Sequence, residues 1–281
     1  MCLPPSLRRS LVPLSAAALL APLSCTDDPR PDASEPVGDT YLSFEEWKAR
    51  LPRDPNDGAY LVEDDIGVHD EASLREYHAE HTQPGALIVN RRDDGADDRW
   101  SETQKMNITY CVSPRFGARH DEVASAMVTA AADWSRAAEV RFVHRSQEDR
   151  TCNSDNENVL FQVVPAYGTT YNGRSFYPSL ATRGMHELFV DLDNVADAAP
   201  KTLTGVLRHE LGHVLGFRHE HTRPEANGLC VERPEWRALT PYDARSVMHY
   251  NAWSRCAGSN EGDYLLTPFD ISGARTLYGS P

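Results

Sequence analysis

The 281-residue chain lacks any apolar run of the roughly 20 residues that a membrane-spanning helix needs. The stretch from Leu11 to Leu23 falls short, and nothing later supplies one. Positive charge is also scarce, with 28 Lys and Arg against 42 Asp and Glu, a net charge of -14. No basic cluster is long enough to form a phosphate-binding stripe, which argues against nucleic acid as a partner. Cysteine occurs six times, and no CxxC pair suggests a thiolate metal site. No internal repeat is present, which excludes a solenoid or array.

Arg8 and Arg9 precede the apolar run, which ends in small residues and Cys25. Residues 1–25 therefore read as an export signal, so the mature protein is expected to be secreted or held in the cell envelope. Leu23-Ser24-Cys25 resembles the end of a bacterial lipobox, which makes Cys25 a candidate lipid anchor, with ordinary signal cleavage as the alternative. The polar, proline-spotted TDDPRPDASEP from Thr26 to Pro36 suits a tether in either case. With Cys2 and Cys25 set aside, Cys111, Cys152, Cys230 and Cys256 remain, an even number that favours disulfides in an exported chain. Three connectivities are open, and the one closing the shortest loops joins Cys111 to Cys152 and Cys230 to Cys256.

From Tyr41 to Asp98 the chain is acidic and poor in long apolar stretches, so residues 26–98 read as a tether and pro-segment or spacer. The character changes near Trp100, and residues 99–281 read as the main domain. MNITYCV from Met106 alternates and is β-favouring, with Pro114 marking its end. Val123, Met127, Ala130, Ala131, Trp134 and Ala138 recur at helical spacing. VRFVH, NVLFQVV, RSFYP and HELFVDL suggest further strands. A second helix is expected from Leu203 to Leu215, capped by Thr202 or Thr204 and stopped at Gly216. Thr267-Pro268-Phe269-Asp270 opens a third, running towards Leu277. Strands followed by helices indicate an α+β domain.

On the second helix Leu207, Leu211, Val214 and Leu215 form an apolar stripe. His209 and His213 lie two positions on from Leu207 and Leu211, a turn of about 200°, so they point away from that stripe. Their four-residue spacing stacks them closely enough to share one metal ion. Glu210 can reach a metal-bound water without being a ligand, as a general base would. Gly216 tolerates the positive φ that lets the chain turn and bring His219 round as a third ligand. Three protein ligands leave a fourth position open, the mark of a catalytic rather than a structural zinc. Chance occurrence of all these fixed residues is on the order of one in 10⁵ from average residue usage.

HELGHVLGFRHE, from His209 to Glu220, resembles the extended zinc motif of the metzincin metalloproteases, and Met248 in SVMHY resembles their Met-turn. HEHTRPE and PYDARSVMHY are further similar to the astacin subgroup and its bacterial astacin-like and matrixin-like relatives. The resemblance implies a zinc endopeptidase acting on protein or peptide substrates, with a twisted mixed sheet, an active-site helix and a C-terminal lobe carrying the Met-turn. It implies His209, His213 and His219 as ligands of one Zn2+, Glu210 as base and Met248 as support. Substrate would lie antiparallel along an edge strand, for which RSFYP is the candidate. Tyr250 matches a tyrosine that stabilises the oxyanion in astacins, a role missing from the matrixin-like alternative. Glu220 matches an acid that pairs with the processed amino terminus. Asp65 matches an aspartate that occupies the zinc in astacin zymogens, although Asp64 stands where a glycine is usual. His221 and His249 have no role in the motif. A rival from another class is a lipid-anchored surface protein that keeps the metal without catalysis, which leaves Glu210 unexplained.

Overall fold

The computed structural model describes residues 44–62, 65–80, 89–92, 94–181, 184–197, 202–223, 226, 236–249 and 264–281. Tyr250, Cys25, Cys230 and Cys256 lie outside these residues. The described part of the acidic N-terminal segment is folded. It comprises helix α1 (Phe44–Lys48), strands β1 (Tyr60–Val62) and β2 (Ile66–Val68), helix α2 (Glu71–Glu80) and strand β3 (Val89–Asn90). Strands β1 and β2 pair antiparallel, and Leu61, Val62, Ile66 and Val68 are all buried. A spacer would expose them. The acids Glu63, Asp64 and Asp65 divide these apolar triplets in the sequence, so no long apolar run advertises the hairpin. Leu42–Pro281 forms one compact unit.

The main sheet uses β4 (Ile108–Val112), β5 (Phe142–His144), β6 (Phe161–Pro165), β7 (Gly173–Arg174) and β8 (Glu187–Val190), in the order β5-β4-β6-β8-β7. Four strands run parallel, and β7 closes one edge antiparallel to β8. Helix α3 (His120–Ala137) follows β4. Helices α4 (Pro178–Ala181), α5 (Leu192–Asp197) and α6 (Leu203–Val214), strand β9 (Trp236–Arg237) and helix α7 (Pro268–Tyr278) complete the order. The α+β expectation with a mixed sheet and a central helix holds.

Strand β4 is buried on both faces, so its alternating pattern has a different occupant on each side. Ile108, Tyr110 and Val112 join the main core with α3 and α6, while Cys111 faces Val159 and Cys152. Cys111 and Cys152 form the expected disulfide, with Cα atoms 5.8 Å apart. The alanine-rich face of α3 lets it pack closely on α6, where the Trp134 indole N–H donates to the Arg208 carbonyl at 2.8 Å. Val123, Met127, Ala130, Ala131 and Trp134 are buried, as their spacing predicts. RSFYP makes a shorter edge than its sequence suggests. Pairing covers Gly173 and Arg174, with one further bridge at Ser175, because Pro178 opens α4.

Candidate metal centre

Helix α6 begins where the Thr202 hydroxyl accepts the Gly205 N–H at 3.0 Å, a cap worth about 1 kcal/mol. It ends at Gly216, whose φ of +90° turns the chain back. A Cβ at Gly216 would also collide with the Asp98 carbonyl oxygen. The turn delivers His219 to the face of α6 that carries His209 and His213. Leu207, Leu211, Val214 and Leu215 fill the core on the other side.

The three imidazoles converge through their Nε2 atoms. His219 Nε2 lies 3.2 Å from both His209 Nε2 and His213 Nε2. Two of the other ring nitrogens face backbone carbonyls: His209 Nδ1 meets Val247 O at 2.7 Å and His213 Nδ1 meets Phe217 O at 2.8 Å. Each Nδ1 thereby carries the proton, which leaves Nε2 as a lone-pair donor pointing inward. Burial pushes the His209 imidazole down to about 4 and lowers His213 as well. Neutral lone pairs facing one another need a cation between them. A tetrahedral zinc with 2.0–2.1 Å arms would set its nitrogens about 3.3 Å apart. The donor set therefore fits such an ion.

Asp65 fills the fourth direction. Its Oδ2 lies 3.1 Å from His219 Nε2, 3.6 Å from His209 Nε2 and 3.7 Å from His213 Nε2. Among the described residues these four side chains form a buried group whose ligand atoms all lie within 4.8 Å of one another. The Asp65 carbonyl accepts the Ser175 N–H at 2.9 Å, and Ile66 bridges Ser175 in parallel sense. The N-terminal segment thus runs along the β7 edge, opposite in direction to an antiparallel peptide.

Glu210 is 2% exposed and lies against Gly173 of β7, where no Cβ would fit. Met248 sits under the helix, close enough that any Cβ at Gly212 would strike its Sδ. Glu220 is buried. Its Oε1 accepts from Arg223 Nη1 at 3.0 Å and the Asp243 N–H at 2.8 Å. Burial pushes that carboxyl up to about 8. The His221 ring lies tilted beside His219 with centroids 5.0 Å apart, and His249 Nε2 lies 3.0 Å from Tyr242 Oη; neither joins the ligand group.

Two residues of the site escape the motif. Tyr264, with a φ of +57°, sets its ring edge-on to His209 at 5.6 Å. Its carbonyl accepts from Arg208, which in turn pairs with Asp133 of α3. Asp270, legible in the sequence only as an acid in the first turn of α7, also accepts from Ser246 Oγ at 2.5 Å and the Val247 N–H at 2.9 Å. It therefore holds the carbonyl that orients His209.

No protein-family model matches the chain. Bone morphogenetic protein 1 of Xenopus laevis is 30% identical over 166 residues, covering 52% of this chain and 20% of that protein. Tolloid-like protein 1 of Homo sapiens is 31% identical over 166 residues, covering 52% and 14%. Zinc metalloproteinase nas-36 of Caenorhabditis briggsae is 32% identical over 125 residues, covering 38% and 19%. The chain thus spans a fifth or less of the length of these relatives. Among solved structures, High choriolytic enzyme 1, a hatching enzyme zinc-protease from Oryzias latipes, aligns at 17% identity. Its TM-score is 0.41, over 69% of this chain and 95% of that one. The sequence resemblance to astacin-type zinc metalloproteinases stands with these relatives.

Proposed function

We propose that the chain is an exported, zinc-dependent endopeptidase, made as a latent precursor, that hydrolyses peptide bonds in extended segments of protein or peptide substrates. The observation that carries this reading is the convergence of three buried imidazoles, with His219 Nε2 3.2 Å from Nε2 of each of the other two, on a helix that also carries the buried Glu210. His209, His213 and His219 would hold the ion. Zinc, when bound, supplies a Lewis acid that polarises the scissile carbonyl and acidifies water. Glu210 takes the proton of the attacking water and returns it to the leaving amine. Its place against Gly173 suits this, because a peptide paired with the β7 edge passes directly over it. Tyr250 supplies a phenol to the developing oxyanion.

Residues 99–281 are the peptidase domain and 26–98 the tether and pro-segment, behind a signal over 1–25 with Cys25 as candidate lipid anchor. The Asp65 carboxylate over the three histidines supports latency, since it stands where the attacking water would. Export rests on Arg8, Arg9 and the short apolar run before Cys25.

The test is cleavage of denatured protein by the full chain after maturation, with and without a chelator, beside Glu210→Gln. A general base is worth about 10²- to 10⁴-fold, so Glu210→Gln should lose that much turnover while metal content stays unchanged. Asp65→Ala should give the unprocessed chain part of the mature activity. Activity that survives both chelation and Glu210→Gln would refute the reading.

A further inference from the structure

The N-terminal hairpin gathers a second cluster of metal-ligating side chains, distinct from the three histidines and Asp65. Tyr60 pairs with Val68, so the residues just before β1 and just after β2 meet at the open end of the hairpin. Asp57 and His69 stand there, with His69 Nε2 3.3 Å from Asp57 Oδ2. Leu61 of β1 shares a buried cluster with Phe189 of β8. Glu187 lies two residues before Phe189 and so points from the same face of β8, the face that the hairpin covers. One donor atom from each of Asp57, His69 and Glu187 lies within 4.8 Å of the other two.

The three groups do not satisfy one another. The Glu187 carboxylate makes neither a hydrogen bond nor an ion pair among the described residues. Burial and the adjacent Asp57 charge raise its pKa, and a cation between the two acids would relieve the second cause. Asp57 is held from behind. Arg174 Nη1 donates to its Oδ1 at 3.1 Å and Nη2 to its Oδ2 at 2.5 Å, while the Ala59 N–H donates to Oδ1 at 3.0 Å. Arg174 Nη1 also donates to Asp54 Oδ2 at 2.8 Å. Three carboxylates against one guanidinium leave an excess of two negative charges, which one divalent cation would balance. The spacing fits as well. Arms of about 2.0–2.2 Å set two ligands of a tetrahedral ion about 3.3–3.6 Å apart, the separation of His69 Nε2 and Asp57 Oδ2. Carboxylate ligands are ordinarily fixed by outer hydrogen bonds, as Arg174 fixes Asp57. The His69 side chain is 38% exposed, which gives an ion a way in and water for the remaining position.

We propose that Asp57, His69 and Glu187 are a second metal site, which takes one zinc or similar divalent transition ion and staples the N-terminal segment to the sheet. One imidazole and two carboxylates suit such an ion, whereas calcium and magnesium favour all-oxygen sets. Two ligands belong to the segment and one to β8, so the site is complete only while the segment is docked. An ion that binds only the docked state favours it, by about 100-fold when its free concentration is about 100 times Kd. The site itself stands apart from the peptidase reading, and its part in latency rests on that reading.

The test uses the full chain carrying Glu210→Gln, stripped by a chelator, dialysed against zinc and counted for metal by plasma mass spectrometry. Two zinc ions per chain are expected. His69→Ala and Glu187→Gln should each remove one, and His213→Ala should remove the other. In the His213→Ala chain zinc should still raise Tm, and adding Glu187→Gln should abolish the rise. Glu187→Gln keeps the shape of the side chain and His69 is half-exposed, so circular dichroism in chelator should show both variants folded. Either substitution leaving the count unchanged, or a His213→Ala chain whose Tm zinc does not move, overturns the staple. A count unchanged by His213→Ala overturns the metal centre on α6 instead, so each site can fail alone.

Discussion

Replacing Asp270 by asparagine measures how far the C-terminal helix belongs to the metal centre. The Asp270 carboxylate accepts from Ser246 Oγ at 2.5 Å, the Val247 N–H at 2.9 Å and the Thr267 N–H at 2.9 Å. One side chain thereby caps α7 and fixes the loop whose Val247 carbonyl faces His209 Nδ1. Burial pushes the carboxyl from its ordinary 3.8 up to about 6, with the three donors opposing but not cancelling the effect. The folded state thus holds a proton that the unfolded state releases. The stability from that proton is fully present below pH ~4 and lost as pH rises through ~6. The difference corresponds to about 3 kcal/mol. Asparagine keeps the shape, with its oxygen towards the two backbone N–H groups and its amide towards Ser246, and does not titrate. Relative to wild type, Asp270→Asn should therefore gain about 3 kcal/mol between pH 4 and pH 7. Urea unfolding of the full chain in chelator, followed by tryptophan fluorescence across that range, reads the difference directly. Groups that titrate alike in both proteins cancel. Parallel stability profiles would refute the reasoning.

Two further outcomes are expected, one from the turn after α6 and one from the resemblance of SVMHY to the Met-turn. Gly216→Ala combines a φ of +90° with a Cβ driven into the Asp98 carbonyl, so it should cost more than about 3 kcal/mol and lower the metal stoichiometry with the melting temperature. Intact metal binding and an unchanged Tm would contradict that. Tyr250→Phe should lower kcat with KM nearly unchanged, the pattern of a contact made only in the transition state. Unchanged turnover would instead favour a matrixin-like site without a tyrosine.

What residue spacing disclosed was local, and Asp65 and Met248 entered only through the family resemblance. His209, Glu210, His213, Gly216 and His219 fall within one helix and its turn, so residue spacing alone predicts where the histidines meet. The helix caps at Thr202 and Thr267 are local for the same reason. The rest of the centre is assembled by contacts between distant segments, which leave no periodic trace. Asp65 reaches His219 across 154 residues, and Asp270 reaches Ser246 across 24. The β1–β2 hairpin went unread because three-residue strands carry too little alternation to stand out from the acids between them. Arg174 gave no signal either, since a lone arginine in RSFYP is an ordinary surface residue until Asp54 and Asp57 bury it.

On the proposed reading, latency is spread over three attachments on one edge of the sheet. The Asp65 carboxylate covers the histidines, the Asp65 carbonyl takes the Ser175 N–H, and Asp54 with Asp57 clasps Arg174. Breaking one leaves the others in place. Because the segment is tethered to the domain it blocks, its effective concentration stays in the millimolar range or above, far beyond that of most free substrates. Loss of Asp65 alone therefore restores only part of the activity, since the backbone pairing and the clasp still fill the groove. Cutting the chain changes the balance more than any single substitution. It turns three intramolecular contacts into bimolecular ones, and the freed segment must then compete with substrate for the β7 edge.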